Sequence, residues 1–120
     1  MTRIMLKSKI AYPIVTEAQL HYKGSITVDE KLMAEADLYE GERVDVLNVN
    51  TGARLQTYVI KGKRGSGVVC LNGPAARSGF AGDKLVIISY AMYDESEIKK
   101  QRAKIVEVDG RNKIKNSYLA

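Results

Sequence analysis

The chain of 120 residues has one cysteine, one histidine, one phenylalanine and no tryptophan. Cys70 alone excludes an internal disulfide framework. Together with His21 it cannot build a zinc site of the usual ligand types within one chain. Any Ser-His-Asp or Cys-His arrangement would have a single histidine to draw on. No apolar run approaches the ~18 residues that a membrane span needs. Arg3, Lys7 and Lys9 interrupt the apolar residues at the N-terminus, where a secretory signal would be unbroken. These absences predict a cytoplasmic protein with no membrane partner and no bound metal. The two prolines, Pro13 and Pro74, are isolated, and there is no internal repeat or Pro/Gly/Ser-rich linker.

What is present fits a single domain over residues 1–120. Hydrophobic residues make up 45% and charged residues 28%, the balance of a folded globular chain. The net charge of +5 lies wholly in the segment from about 98 to 120. That segment carries Lys99, Lys100, Arg102, Lys104, Arg111, Lys113 and Lys115 against Glu107 and Asp109. A basic end could hold nucleic acid, so a non-catalytic β-barrel binding module is the alternative reading. The segment reads more simply as a solvated terminal stretch, which argues against nucleic acid as a partner.

The pattern is mostly strand. Short β-rich runs fall at Ile4–Leu6, Ile14–Thr16, Ile26–Val28, Val44–Val49, Leu55–Ile60, Val68–Leu71, Leu85–Tyr90 and Ile105–Val108. Leu85–Tyr90 is almost continuously apolar, as a strand buried on both faces would be. Asn50-Thr51-Gly52 between two such runs predicts a hairpin. One segment reads as helix: Asp29 is a candidate N-cap, Leu32, Met33 and Ala36 follow at helical spacing, and Gly41 lies beyond the end. Short strands with frequent turns and one or two short helices predict a mainly β fold, a small barrel. So small a barrel is filled by its own side chains, which puts chemistry at a rim or between subunits.

The segment His21-Tyr22-Lys23-Gly24-Ser25 taken alone is an ordinary polar corner before a strand. The rest of the chain changes that reading. Met5-Leu6-x-x-Lys9, His21-Tyr22-x-Gly24-Ser25, Gly52-x-Arg54-x-x-Thr57-Tyr58, Gly65-Ser66-Gly67, Asn72-Gly73-x-Ala75-Ala76-Arg77 and Gly82-Asp83 occur in that order. Over about residues 1–95 the chain resembles the pyruvoyl-dependent L-aspartate α-decarboxylase family in its uncleaved, proenzyme form.

The resemblance implies a six-stranded double-psi β-barrel, a homotetramer with sites between subunits, and self-cleavage between Gly24 and Ser25. The products would be a β chain of residues 1–24 and an α chain of residues 25–120. Ser25 would become a pyruvoyl group that forms a Schiff base with L-aspartate, needing neither metal nor pyridoxal phosphate. β-Alanine for pantothenate and coenzyme A synthesis would be the product. Thr57 and Asn72 would assist cleavage, Thr57 by donating to a developing oxyanion. Tyr58 would return the proton, and Lys9, Arg54, Thr57, Gly73, Pro74 and Ala75 would bind substrate. Whether cleavage needs a maturation partner is left open. Two positions depart from the family pattern: Ala11 stands where histidine is common, and Pro74 where alanine is common. Pro74 removes a backbone N–H from the expected substrate loop.

Overall fold

Alternating apolar and polar residues lay down most of the chain as strand. The computed structural model describes all 120 residues. The strands are β1 (Thr2–Ile14), β2 (Glu17–Gln19), β3 (Ser25–Asp29), β4 (Arg43–Asn48), β5 (Arg54–Gly62), β6 (Val69–Asn72), β7 (Lys84–Asp94), β8 (Lys104–Val108) and β9 (Ile114–Leu119). Between them lie α1 (Glu30–Glu35), α2 (Glu95–Ile98) and a 3-10 helix, Gly73–Ser78.

The strands pair in the order β2-β6-β3-β5-β4-β7-β1-β8-β9. The two sides of this order are joined, because β1 runs on through Val15 and Thr16 into β2. The Thr16 amide donates to the Val69 carbonyl at 2.8 Å, and the Thr16 hydroxyl bonds to the same residue's backbone. Counting β1 and β2 as one path, six strand positions close a ring: β1/β2, β6, β3, β5, β4 and β7. β8 and β9 are added outside it, β8 running parallel to β1 and β9 antiparallel to β8. Ile10, Val15, Ile26, Val28, Val44, Val46, Val59, Leu71, Leu85 and Ile87 fill the interior.

The predicted hairpin is present. Asn48 Oδ1 accepts from the amides of Asn50 and Thr51, and Gly52 has φ +78°. The predicted helix is α1, with Asp29 accepting from the Lys31 amide at 2.8 Å and Leu32, Met33 and Ala36 buried. Asp29 also accepts from the amides of Gly65 and Gly67, pinning the β5–β6 loop to the end of β3. Burial pushes this carboxyl up, but these three backbone donors and the Lys113 charge outweigh it and leave its pKa below the usual range.

Two expectations are corrected. Ile4–Leu6 and Ile14–Thr16 are not separate runs: the first lies within one 13-residue strand and the second straddles its end. The interruption Lys7-Ser8-Lys9 hid the continuity, yet Ser8 is buried and shares a 2.5 Å hydrogen bond with Ser89 of β7. The segment from 98 to 120 is not a solvated terminal stretch either. Ile105, Val106 and Val108 are buried. Lys104 pairs with Glu35 at 2.9 Å, and Arg102 donates to the carbonyls of Leu119 and Ala120. No helix is long and apolar enough to cross a membrane.

Candidate active site

β3 begins at Ser25, and two neighbours fix what surrounds it. On one side β6 runs antiparallel, setting Asn72 directly opposite Ser25. On the other β5 runs parallel, bringing Thr57 and Tyr58 to the same end. A cleft of about 270 Å³ opens there, lined by Gly24, Ser25, Thr57, Tyr58, Pro74 and Ala75, with Leu55, Gln56 and Ser78 completing its wall. The sequence reading missed those last three. β5 carries Leu55 and Gln56 past the cleft beside Thr57 and Tyr58, and the 3-10 helix carries Ser78.

Ser25 is 1% exposed and has φ +117°. A side chain at positive φ crowds its own backbone, so this residue is held in a strained conformation by its neighbours. Its hydroxyl oxygen accepts a hydrogen bond from Asn72 Nδ2 at 3.2 Å. The Tyr58 hydroxyl donates to the Gly24 carbonyl oxygen at 3.3 Å. The hydroxyl resting on that oxygen is thus Tyr58, whereas the resemblance assigns oxyanion donation to Thr57; Thr57 lines the cleft one residue before it.

Gly73 does not line the cleft. It has φ +61° and packs behind the backbone of Tyr22 and Gly24. A Cβ there would lie 2.7 Å from the Tyr22 carbonyl oxygen and 3.0 Å from the Gly24 nitrogen and Cα. Gly73→Ala is expected to displace Gly24 and cost about 2 kcal/mol of stability. Thermal unfolding of the variant checks this effect.

The two predicted cations are elsewhere in the single chain. Arg54 lines the next depression along β5 with Asp45 and Leu47, and this depression shares Leu55 and Gln56 with the Ser25 cleft. Lys9 sits on β1 opposite Ile88 and Ile105, away from β3. Neither forms an ion pair within the chain. His21 is exposed in the loop before Gly24. A larger cavity of about 530 Å³ lies near α1 and β8. It contains none of the predicted site residues, and Lys7, Arg64 and Lys104 on its wall are paired with Glu42, Glu30 and Glu35.

Comparison with known proteins identifies the family. The aspartate decarboxylase family model matches residues 1–115. The chain belongs to that family. It is 59% identical over 110 residues to the aspartate 1-decarboxylase of Pelotomaculum thermopropionicum, covering 92% of this chain and 83% of that protein. The enzyme of Syntrophobacter fumaroxidans is 56% identical over 113 residues, covering 94% and 91%. That of Thermoanaerobacter pseudethanolicus is 53% identical over 116 residues, covering 97% and 99%.

Proposed function

We propose that the chain is a carboxy-lyase that removes the α-carboxylate of L-aspartate, giving β-alanine and CO2 for pantothenate synthesis. It does so after cutting itself between Gly24 and Ser25, which leaves a pyruvoyl group at position 25. The observation that carries this reading is the buried, strained Ser25. Its oxygen is held by Asn72, and the carbonyl before it receives the Tyr58 hydroxyl, in a chain 53–59% identical to the three aspartate 1-decarboxylases named above.

The residues present fit such a group. Gly24 has no Cβ to obstruct attack on its carbonyl, and an added Cβ there would meet open space. Ser25 Oγ bonds to the Gly24 carbonyl carbon, the Gly24–Ser25 C–N bond breaks, and the serine nitrogen takes the proton that the hydroxyl gives up. The product is an ester with a free amine. Loss of the Ser25 α-proton then breaks the Cβ–Oγ bond, and Gly24 leaves as a carboxylate. Water replaces the nitrogen of the remaining dehydroalanine, ammonia departs, and a ketone is left. The α-carbon is then planar, so the side-chain crowding at φ +117° disappears.

The pyruvoyl ketone supplies the sink for the electron pair released with CO2, as pyridoxal phosphate does elsewhere. The chain supplies the rest. Tyr58 holds a hydroxyl at the cleft and returns the proton to the α-carbon. Thr57, Pro74 and Ala75 shape the wall against which aspartate lies. Arg54 grips a carboxylate through its planar fork, and Lys9 adds a second positive charge for a dianionic substrate.

Lys9 lies away from the cleft of its own chain, which supports a site completed by a second copy. The outer face of β7 and β1 supports the same view. Ile4 and Met92 are each 70% exposed there, beside Tyr90. We read the working form as a homotetramer with sites between subunits.

Denaturing mass spectrometry tests the reading. Two pieces, residues 1–24 and 25–120, are expected, the larger carrying a carbonyl that borohydride reduces. CO2 should be released from L-aspartate without added pyridoxal phosphate. One intact chain and no CO2 would overturn it.

A further inference from the structure

In an antiparallel ladder, residues i and i+2 of a strand share a face, and opposed residues stand side by side. Ser25 and Thr27 of β3 oppose Asn72 and Cys70 of β6. The alternate residues, Ile26 and Val28 of β3 and Val69 and Leu71 of β6, belong to the core. The other face therefore carries a polar quartet, and its members are bonded to one another. Asn72 Nδ2 donates to Ser25 Oγ at 3.2 Å and to Thr27 Oγ1 at 2.9 Å. The Cys70 thiol donates to Asn72 Oδ1 at 3.1 Å. Ser25, Cys70 and Asn72 are each no more than 3% exposed.

A carboxamide in this place has two orientations with opposite chemistry. With its NH2 toward Ser25, it stabilises negative charge on Oγ. Turned over, its carbonyl would instead hold the hydroxyl proton, and its NH2 would face a thiol sulfur, a weak acceptor. We propose that Cys70, with Thr27, is a positioning residue for the self-cleavage. The thiol anchors Asn72 Oδ1, the Thr27 hydroxyl takes one amide hydrogen, and the other is thereby held on Ser25 Oγ. The inference rests on the self-cleavage reading above.

Thiol chemistry supports it. Burial pushes the Cys70 pKa up to about 11, with the Glu17 carboxylate adding to the rise. At neutral pH the sulfur keeps its proton and serves as a donor. The held amide hydrogen then acts at one oxygen in two steps. It meets the charge that grows on Oγ as the hydroxyl loses its proton and attacks. It meets charge there again when the Cβ–Oγ bond breaks and Gly24 leaves as carboxylate.

The test follows freshly translated full-length chain by intact mass over time, with thermal unfolding of each variant in parallel. Cys70→Ala is expected to slow the appearance of the two pieces about fivefold. Thr27→Val, nearly isosteric, should slow it comparably. Cys70→Ser keeps a donor and should cleave within about twofold of the parent. A packing defect would lower the unfolding midpoint, but the smaller serine would not repair its effect on the rate. The proposal is overturned if Cys70→Ala and Thr27→Val cleave at the parent rate. It is also overturned if Cys70→Ser is as slow as Cys70→Ala. Should Cys70→Ala fail to fold, parent-like cleavage by Thr27→Val, or a slow Cys70→Ser, overturns it alone. A parent chain that stays whole overturns the self-cleavage reading itself, and this inference with it.

Discussion

Ser25→Ala is expected to yield a folded protein in one piece that releases no CO2 from L-aspartate. The variant removes one oxygen and leaves the β3 backbone, its pairing with β5 and β6, and the core beneath unchanged. Alanine tolerates φ +117° no better than serine does, so the strain remains while the nucleophile is gone. The expected loss is complete, since no other residue can provide the ketone. Intact mass, circular dichroism and a CO2 assay on the same preparation are the measurements. A cut chain, or decarboxylation by the uncut one, would sink the mechanism.

Arg54→Ala should separate the two activities of the chain. Arg54 does not line the cleft that holds Gly24 and Ser25, so cleavage should run at nearly the parent rate. Turnover of aspartate should not. An unpaired guanidinium facing a carboxylate in a confined site contributes about 3 kcal/mol, so kcat/KM should fall about a hundredfold. Mass spectrometry of the purified variant, followed by steady-state kinetics on the cut form, gives both numbers. Slow cleavage with normal kinetics in the cut form would place Arg54 in maturation instead.

The sequence was most legible where a local rule acts alone. Asp29 could be read as a cap, and Asn50-Thr51-Gly52 as a turn, because each depends on its own neighbours. It was least legible where pairing decides. β9 carries little β signal in Ile114–Leu119 because it pairs only with β8 and buries little. β2 is a fully exposed three-residue strand that exists because β6 lies beside it. The site divides in the same way. Gly24, Ser25, Thr57, Tyr58, Asn72, Pro74 and Ala75 could be named only through the resemblance to a known family, and the fold brings them together. Thr27 carried no signal, and Cys70 served only to exclude a disulfide framework and a zinc site. It is buried, but its bond to Asn72 follows from the β3–β6 register, which no single stretch of sequence reveals.

The first 24 residues are threaded through the sheet rather than hung from it. β1 lies between β7 and β8, and β2 lies against β6. A nick after Gly24 would therefore set nothing free, and the short peptide would stay as a non-covalent partner gripped along both sides. Folding information would then be split between two molecules. The uncut precursor would find its shape as one chain, whereas a denatured mature protein would first have to bring two strangers together. Maturation would be irreversible in this second sense, and a lifetime of activity would depend on never coming apart.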